Sequence, residues 1–170
     1  VKQVTADNYY ALSLVPPSSI ADDAGSPIAA ARPVGALDER ERTFDDWVGR
    51  LDAADYYQFS LPAGATLSVR LSNLTGNADV QLLNSAGATL ASSAQAGTTT
   101  EQILRAQAAG DYFVRVTPAA GADANYRLAL SAVAFPIDTV GDSPSTPRDI
   151  GALGAAQKSY SEFVGGLDSG

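Results

Sequence analysis

The residues best equipped for chemistry crowd into one stretch of the chain. Asp45, Asp46, Asp52 and Asp55 fall between Phe44 and Phe59, and Asp22 and Asp23 form an adjacent pair upstream. Two carboxylates flanking a cleft can serve glycoside hydrolysis as acid and base. Here the acids share one short segment, and the chain offers no second wall for a sugar cleft. Cysteine, methionine and histidine are all absent, which removes disulfides, thiolate nucleophiles, imidazole bases and the common zinc sites. No catalytic residue is assigned, and the sequence does not read as that of an enzyme. Taken alone, Asp52 and Asp55 are spaced to cap a turn through backbone amides, with Asp22 and Asp23 in a solvated linker.

Bulk composition narrows the partners. Nineteen acidic residues against eleven basic ones leave a net charge of −8. That balance argues against nucleic acid, whose phosphates demand a basic face. It suits a solvated secreted surface or one that binds cations. Arg40, Arg42, Arg50, Arg70 and Arg105 are scattered among acids and read as solvated surface. No apolar run reaches the roughly twenty residues of a membrane span, and no signal peptide is visible. A chain that begins with Val and lacks Met reads as a processed piece or an excerpt.

The chain also repeats itself. Tyr10, Leu12 and Leu14 recur as Tyr126, Leu128 and Leu130, always 116 positions later. Arg32, Gly35, Ala36 and Leu37 recur as Arg148, Gly151, Ala152 and Leu153, and Val48, Gly49, Leu51 and Asp52 as Val164, Gly165, Leu167 and Asp168. Conservative replacements share the offset: Val34/Ile150, Arg42/Lys158, Thr43/Ser159, Phe44/Tyr160, Asp46/Glu162 and Trp47/Phe163. A single gapless offset points to one module recurring along an array.

Within the module, Tyr57, Phe59 and Leu61 alternate with polar residues, as do Leu67, Val69 and Leu71, Val80 and Leu82, and Tyr126, Leu128 and Leu130; Phe113, Val114 and Val116 form a further apolar run. Such runs are half-buried strands, separated by turns such as Pro62-Ala63-Gly64, Asn73 to Asn77 and Asn84 to Gly87. The fold expected is all-β: an antiparallel, jelly-roll-like β-sandwich. Residues 32–131 would form the complete module. Residues 1–15 read as the last hairpin of a preceding repeat, 16–31 and 132–147 as linkers, and 148–170 as the first strand of a following repeat. A helix over Ala29 to Ala36 is interrupted by Pro33 and reduces to a turn. Trp47, Phe44, Tyr56, Tyr57, Phe59, Tyr112, Phe113 and Tyr126 are expected mostly in the core rather than on a ligand-stacking surface. Asn73-Leu74-Thr75 matches a glycosylation sequon but reads as a plain turn.

The run Phe44 to Phe59, then Ala78 to Leu82, Ala109 to Val116 and Asn125 to Leu128, resembles the bacterial pre-peptidase C-terminal domain over about residues 20–131. The more specific parts are Asp52-x-x-Asp55-Tyr56-Tyr57-x-Phe59 and Gly110-x-Tyr112-Phe113-Val114-x-Val116. The resemblance implies a β-sandwich module found downstream of secreted peptidases and in tandem on large surface proteins. It also implies a calcium site, because relatives among the collagen-binding domains of clostridial collagenases hold Ca²⁺ between that turn and an acidic linker. Carried over by position, Asp52 and Asp55 would offer carboxylates, Tyr56 a backbone carbonyl, and Asp22 and Asp23 the linker's acids. Calcium takes six to eight oxygens, several of them charged, and clustered carboxylates without a cation repel one another. Two linker glutamates of those relatives fall near Ser18 and Ile20 here, and in the next copy Asp22 persists as Asp138 while Asp23 becomes Thr139. The strand end Val116-Thr117-Pro118-Ala119 lacks the aromatic with which those relatives grip collagen, so collagen binding is not expected. The resemblance implies a non-catalytic extracellular repeat acting as spacer and adhesion unit. Its partners would be neighbouring copies and an extracellular protein or polysaccharide. Two alternatives remain open: a subunit that self-assembles into a fibre or sheath through sheet edges or strand exchange, and an accessory domain of a secreted peptidase.

Overall fold

Alternation of apolar and polar residues converts directly into strands here. A computed structural model describes residues 22–119, 121–136 and 147–160. Nine strands form: β1 (Arg32–Ala36), β2 (Arg42–Val48), β3 (Asp55–Leu61), β4 (Ala65–Ser72), β5 (Ala78–Asn84), β6 (Thr89–Ser93), β7 (Glu101–Gln107), β8 (Gly110–Pro118) and β9 (Ala124–Ala134). They build a sandwich of two sheets, with orders β1-β3-β8-β5-β6 and β2-β9-β4-β7. Tyr57, Phe59 and Leu61 of β3 face Leu67, Val69 and Leu71 of β4 in one core, joined by Val80, Leu82, Val114, Val116, Leu128 and Leu130. Burying each such side chain contributes about 1.5–3 kcal/mol, and the polar residues between them face outward.

The expectation of an antiparallel sandwich holds for every pairing but one. β1 runs parallel to β3, with Arg32 opposite Tyr57 and Ala36 opposite Ser60. The cause is topological: β2, lying between them in sequence, belongs to the other sheet, so β1 and β3 run the same way. The segment expected as a linker is packed in its described part. Ala24 joins the core, Gly25 bridges to Tyr56, and Ile28–Ala30 forms a single 3-10 turn before β1. Helical character thus ends ahead of Pro33, which sits in the short edge strand β1, a position that tolerates proline. At the far end β9 continues to Ala134, three residues past the expected boundary. The expected aromatic core comprises Tyr57, Phe59, Tyr112 and Tyr126, with Phe44 partly buried against it. Trp47, Tyr56 and Phe113 are only half-buried. The head hairpin of residues 1–15, the positions of Ser18 and Ile20, and Asp138 and Thr139 lie outside the described residues.

Residues 147–160 contain no strand, unlike the expectation for 148–170. The partners of β1 are Tyr57 to Ser60 and those of β2 are Ala124 to Leu130. The tail nevertheless keeps the local contacts of the β1–β2 corner. Arg32 lies over the Phe44 ring at 4.9 Å, and Arg148 over the Tyr160 ring at 4.4 Å. Arg42 Nη1 donates to the Val34 carbonyl at 2.6 Å, and Lys158 Nζ donates to the Ile150 carbonyl at 2.8 Å. Gly35 and Gly151 both hold positive φ, 87° and 65°, where a side chain would be strained.

Candidate metal centre

Three elements meet at one end of the sandwich: the end of β2, the start of β3 and the start of β9. Between β2 and β3 the chain turns tightly, with the Gly49 N–H donating to the Asp52 carbonyl at 2.7 Å and the Asp52 N–H to the Gly49 carbonyl at 3.2 Å. This turn brings Asp52 inward, where it is 2% exposed. Asp55 opens β3 on the face that also carries Tyr57 and Phe59, so it points into the sandwich and is fully buried. The segment after residue 21 crosses this end and adds the exposed Asp22. One carboxylate oxygen from each of Asp22, Asp52 and Asp55 lies within 4.8 Å of the other two.

Burial and mutual repulsion strain this cluster. The Asp55 carboxyl is pushed up to about 8, chiefly by desolvation, with the nearby Asp52 and Asp46 charges adding to the effect. Asp22 is also raised, by partial burial and then by Asp52 and Asp23. Asp52 Oδ1 accepts from Ser26 Oγ at 2.5 Å, and Asp55 Oδ2 accepts from the Tyr126 hydroxyl. The other oxygens, Asp52 Oδ2 and Asp55 Oδ1, are buried without a hydrogen-bond partner. Two unpaired buried carboxylate oxygens beside a third acid are expensive as anions, and a hard divalent cation answers that cost with oxygen ligation. The residues present therefore fit calcium, as the family resemblance implies.

Of the five ligands expected from the sequence, the structure brings Asp22, Asp52 and Asp55 together. Asp23 is directed elsewhere: its carboxylate lies 3.4 Å from the Arg32 guanidinium, an ion pair that the linker's turn into β1 makes available. Tyr56 enters through its main chain, which pairs with Gly25 and ties the acidic segment to β3. A Cβ on Gly25 would overlap the Ala30 carbonyl, so this close approach needs glycine.

Sequence reasoning missed four participants: Ser26, Asp46, Tyr57 and Tyr126. Asp46 is fully buried. Its Oδ2 accepts the Asp23 and Ala24 N–H groups, both at 3.2 Å, and the Tyr57 hydroxyl at 3.3 Å, while Oδ1 accepts the Trp47 N–H at 2.9 Å. Desolvation raises its pKa against the pull of those amides. The Tyr57 and Tyr126 hydroxyls are 2.9 Å apart, so a buried chain runs Asp46–Tyr57–Tyr126–Asp55. Its three contacts join the two carboxylates through two hydroxyl groups. Both phenols are held well above their usual range, mainly by burial. The β2 register exposes Asp46 in retrospect, since Phe44, Asp46 and Val48 alternate on the inward face. A charged residue there is a buried polar group needing partners.

Residues 53–118 match the family model of the bacterial pre-peptidase C-terminal domain. Among solved structures, the pre-peptidase C-terminal domain of a Bacillus anthracis collagenase is similar at 16% identity and a TM-score of 0.51, covering 59% of this chain and 93% of that one. A periplasmic inhibitor of g-type lysozyme from Aeromonas hydrophila is 14% identical with a TM-score of 0.37, covering 59% of this chain and 97% of its own. A family 36 carbohydrate-binding module in complex with calcium and xylotriose is 17% identical at 0.35, covering 56% and 96%. No curated protein matches the chain. The pre-peptidase C-terminal family is one of non-catalytic accessory domains. Its match spans β3 to β8 and includes Asp55, whereas Asp22, Asp46 and Asp52 precede it and Tyr126 follows. Among the described residues, no helix is long and apolar enough to cross a membrane.

Proposed function

We propose that this chain is part of a tandem array of calcium-stabilised sandwich modules on a secreted or cell-surface bacterial protein, acting as spacer and adhesion unit. The observation that carries the array is the doubled β1–β2 corner. The contacts Arg32–Phe44 and Arg42–Val34 recur as Arg148–Tyr160 and Lys158–Ile150 at the same offset as the sequence identities. The tail also bares apolar side chains whose counterparts are covered: Leu153 is 75% exposed, against 4% for Leu37. A following module supplies the missing cover. Neighbouring copies are then the first partners, and an extracellular protein or polysaccharide would meet the outer sheet faces. Mass spectrometry of the mature native protein is expected to return a species several modules long. A mature mass no larger than this chain would defeat the array.

Calcium is supported by the two unpartnered oxygens of Asp52 and Asp55. Millimolar Ca²⁺ should raise the melting temperature. The gain is about 2.7 kcal/mol when the ion stands at a hundred times its dissociation constant. Asp55→Ala should abolish the shift, and identical melting curves with Ca²⁺ and with chelator would remove the metal from the reading.

A further inference from the structure

Asp46 differs from the three clustered acids in how its oxygens are used. Asp52 and Asp55 each keep one buried oxygen unpartnered, whereas both oxygens of Asp46 are occupied by protein donors. Nothing is left on it for an ion. What it holds is the acidic segment itself: the N–H groups of two consecutive residues, Asp23 and Ala24, converge on a single oxygen. Asp22, the exposed member of the cluster, sits directly before that anchor. The same oxygen takes the Tyr57 hydroxyl, which leads through Tyr126 to Asp55. One buried carboxylate on β2 thus fixes both the crossing segment and, through two tyrosines, the acid on β3. The remaining charged group facing it is Arg32, 3.9 Å away, which also pairs with Asp23. Charge-assisted bonds of this kind are about twice as strong as neutral ones, so a neutral acceptor at this position would hold the segment less firmly. At the equivalent position in the next copy the sequence has Glu162, again a carboxylate.

We infer that Asp46 is the positioning residue of the calcium centre: it sets Asp22 over Asp52 and Asp55 without touching the ion. The inference rests on the calcium reading above. Residues that orient ligands in this way typically account for 10–100-fold in metal affinity. Calorimetric titration of the full chain with Ca²⁺ alone tests it. Asp46→Asn should retain one ion per chain but bind it at least tenfold more weakly. Asp46→Glu should return to within a few-fold of the unaltered protein, and Tyr57→Phe, which removes one donor to Asp46, should fall between. If Asp46→Asn does not fold, the order of the other two variants against the unaltered protein decides the matter. A folded Asp46→Asn protein, or failing that a Tyr57→Phe protein, binding calcium with unchanged affinity would overturn the positioning role while leaving the metal site standing. An unaltered chain that takes up no calcium overturns both. Amide exchange separates the two failures: Asp23 and Ala24 should be protected in the metal-free unaltered chain and exposed in Asp46→Asn.

Discussion

Asp55 is pulled in two directions, and the balance can be read by pH. Its folded pKa of about 8 stands above the ordinary 3.8 because burial disfavours the anion. The folded state therefore holds a proton that the unfolded chain has already lost between about pH 4 and pH 8, and stability falls as pH rises through that window. The contribution is complete below about pH 4 and gone above about pH 8, with a slope approaching 1.4 kcal/mol per pH unit. Asp22 and Asp46 are shifted the same way. Asp45 opposes them, because its two-pronged pairing with Arg127 lowers its pKa and is lost only in acid. Metal-free protein should thus melt progressively lower between about pH 5 and pH 8, while saturating Ca²⁺ flattens the profile by stabilising the carboxylate. A metal-free profile already flat over that range would contradict the burial of Asp55 as an acid. How far the sequence revealed these residues follows from what each one does. Asp52 and Asp55 were legible because a turn spacing places both beside a strand start. Asp23 misled because its nearest cation, Arg32, is brought up only by the fold.

At the scale of the element, the β1–β2 corner occurs twice with opposite consequences. Around Arg42 the corner is built into both sheets, with β1 on β3 and β2 on β9. Around Lys158 the equivalent contact to the Ile150 carbonyl, with a further one to that of Ala152, forms on an exposed segment without strands. Arg42→Ala should lower the stability of the sandwich by about 1 kcal/mol, the usual worth of such a bond, whereas Lys158→Ala should leave its melting unchanged. Equal losses in the two variants would mean that the tail is integral to the sandwich. The alternating strands were the easy part of the sequence, since period two and burial on one face are the same fact. β6 and β7 were harder. Their inward positions include Glu101, buried and bonded to Ser93 Oγ and the Gln95 N–H, while Leu104 faces out at 67% exposure. A polar residue satisfied inside and an apolar one left outside cancel the pattern that marks a strand. The parallel β1 was hidden for another reason: no local signal records which sheet the next strand will join.

For the molecule as a whole, the sandwich was readable because its core comes from evenly spaced turns and alternating strands. The linker boundaries were less so, because Ala24 to Ala30 packs through main-chain contacts that composition does not announce. One consequence follows from the path of the backbone. Asp22 lies at the end where Val48 pairs with Ala124, while Phe135 leaves beside Gly64 at the opposite end, its N–H on the Gly64 carbonyl at 2.8 Å. A pull between those two points runs along the strands. It draws lengthwise on β9, which is flanked on both sides by β2 and β4, so the rungs of two ladders resist sliding together rather than opening one by one. Stretched between those points, the sandwich would meet the load with two ladders on β9 at one end and, at the other, with the edge strand β1 held by β3 alone.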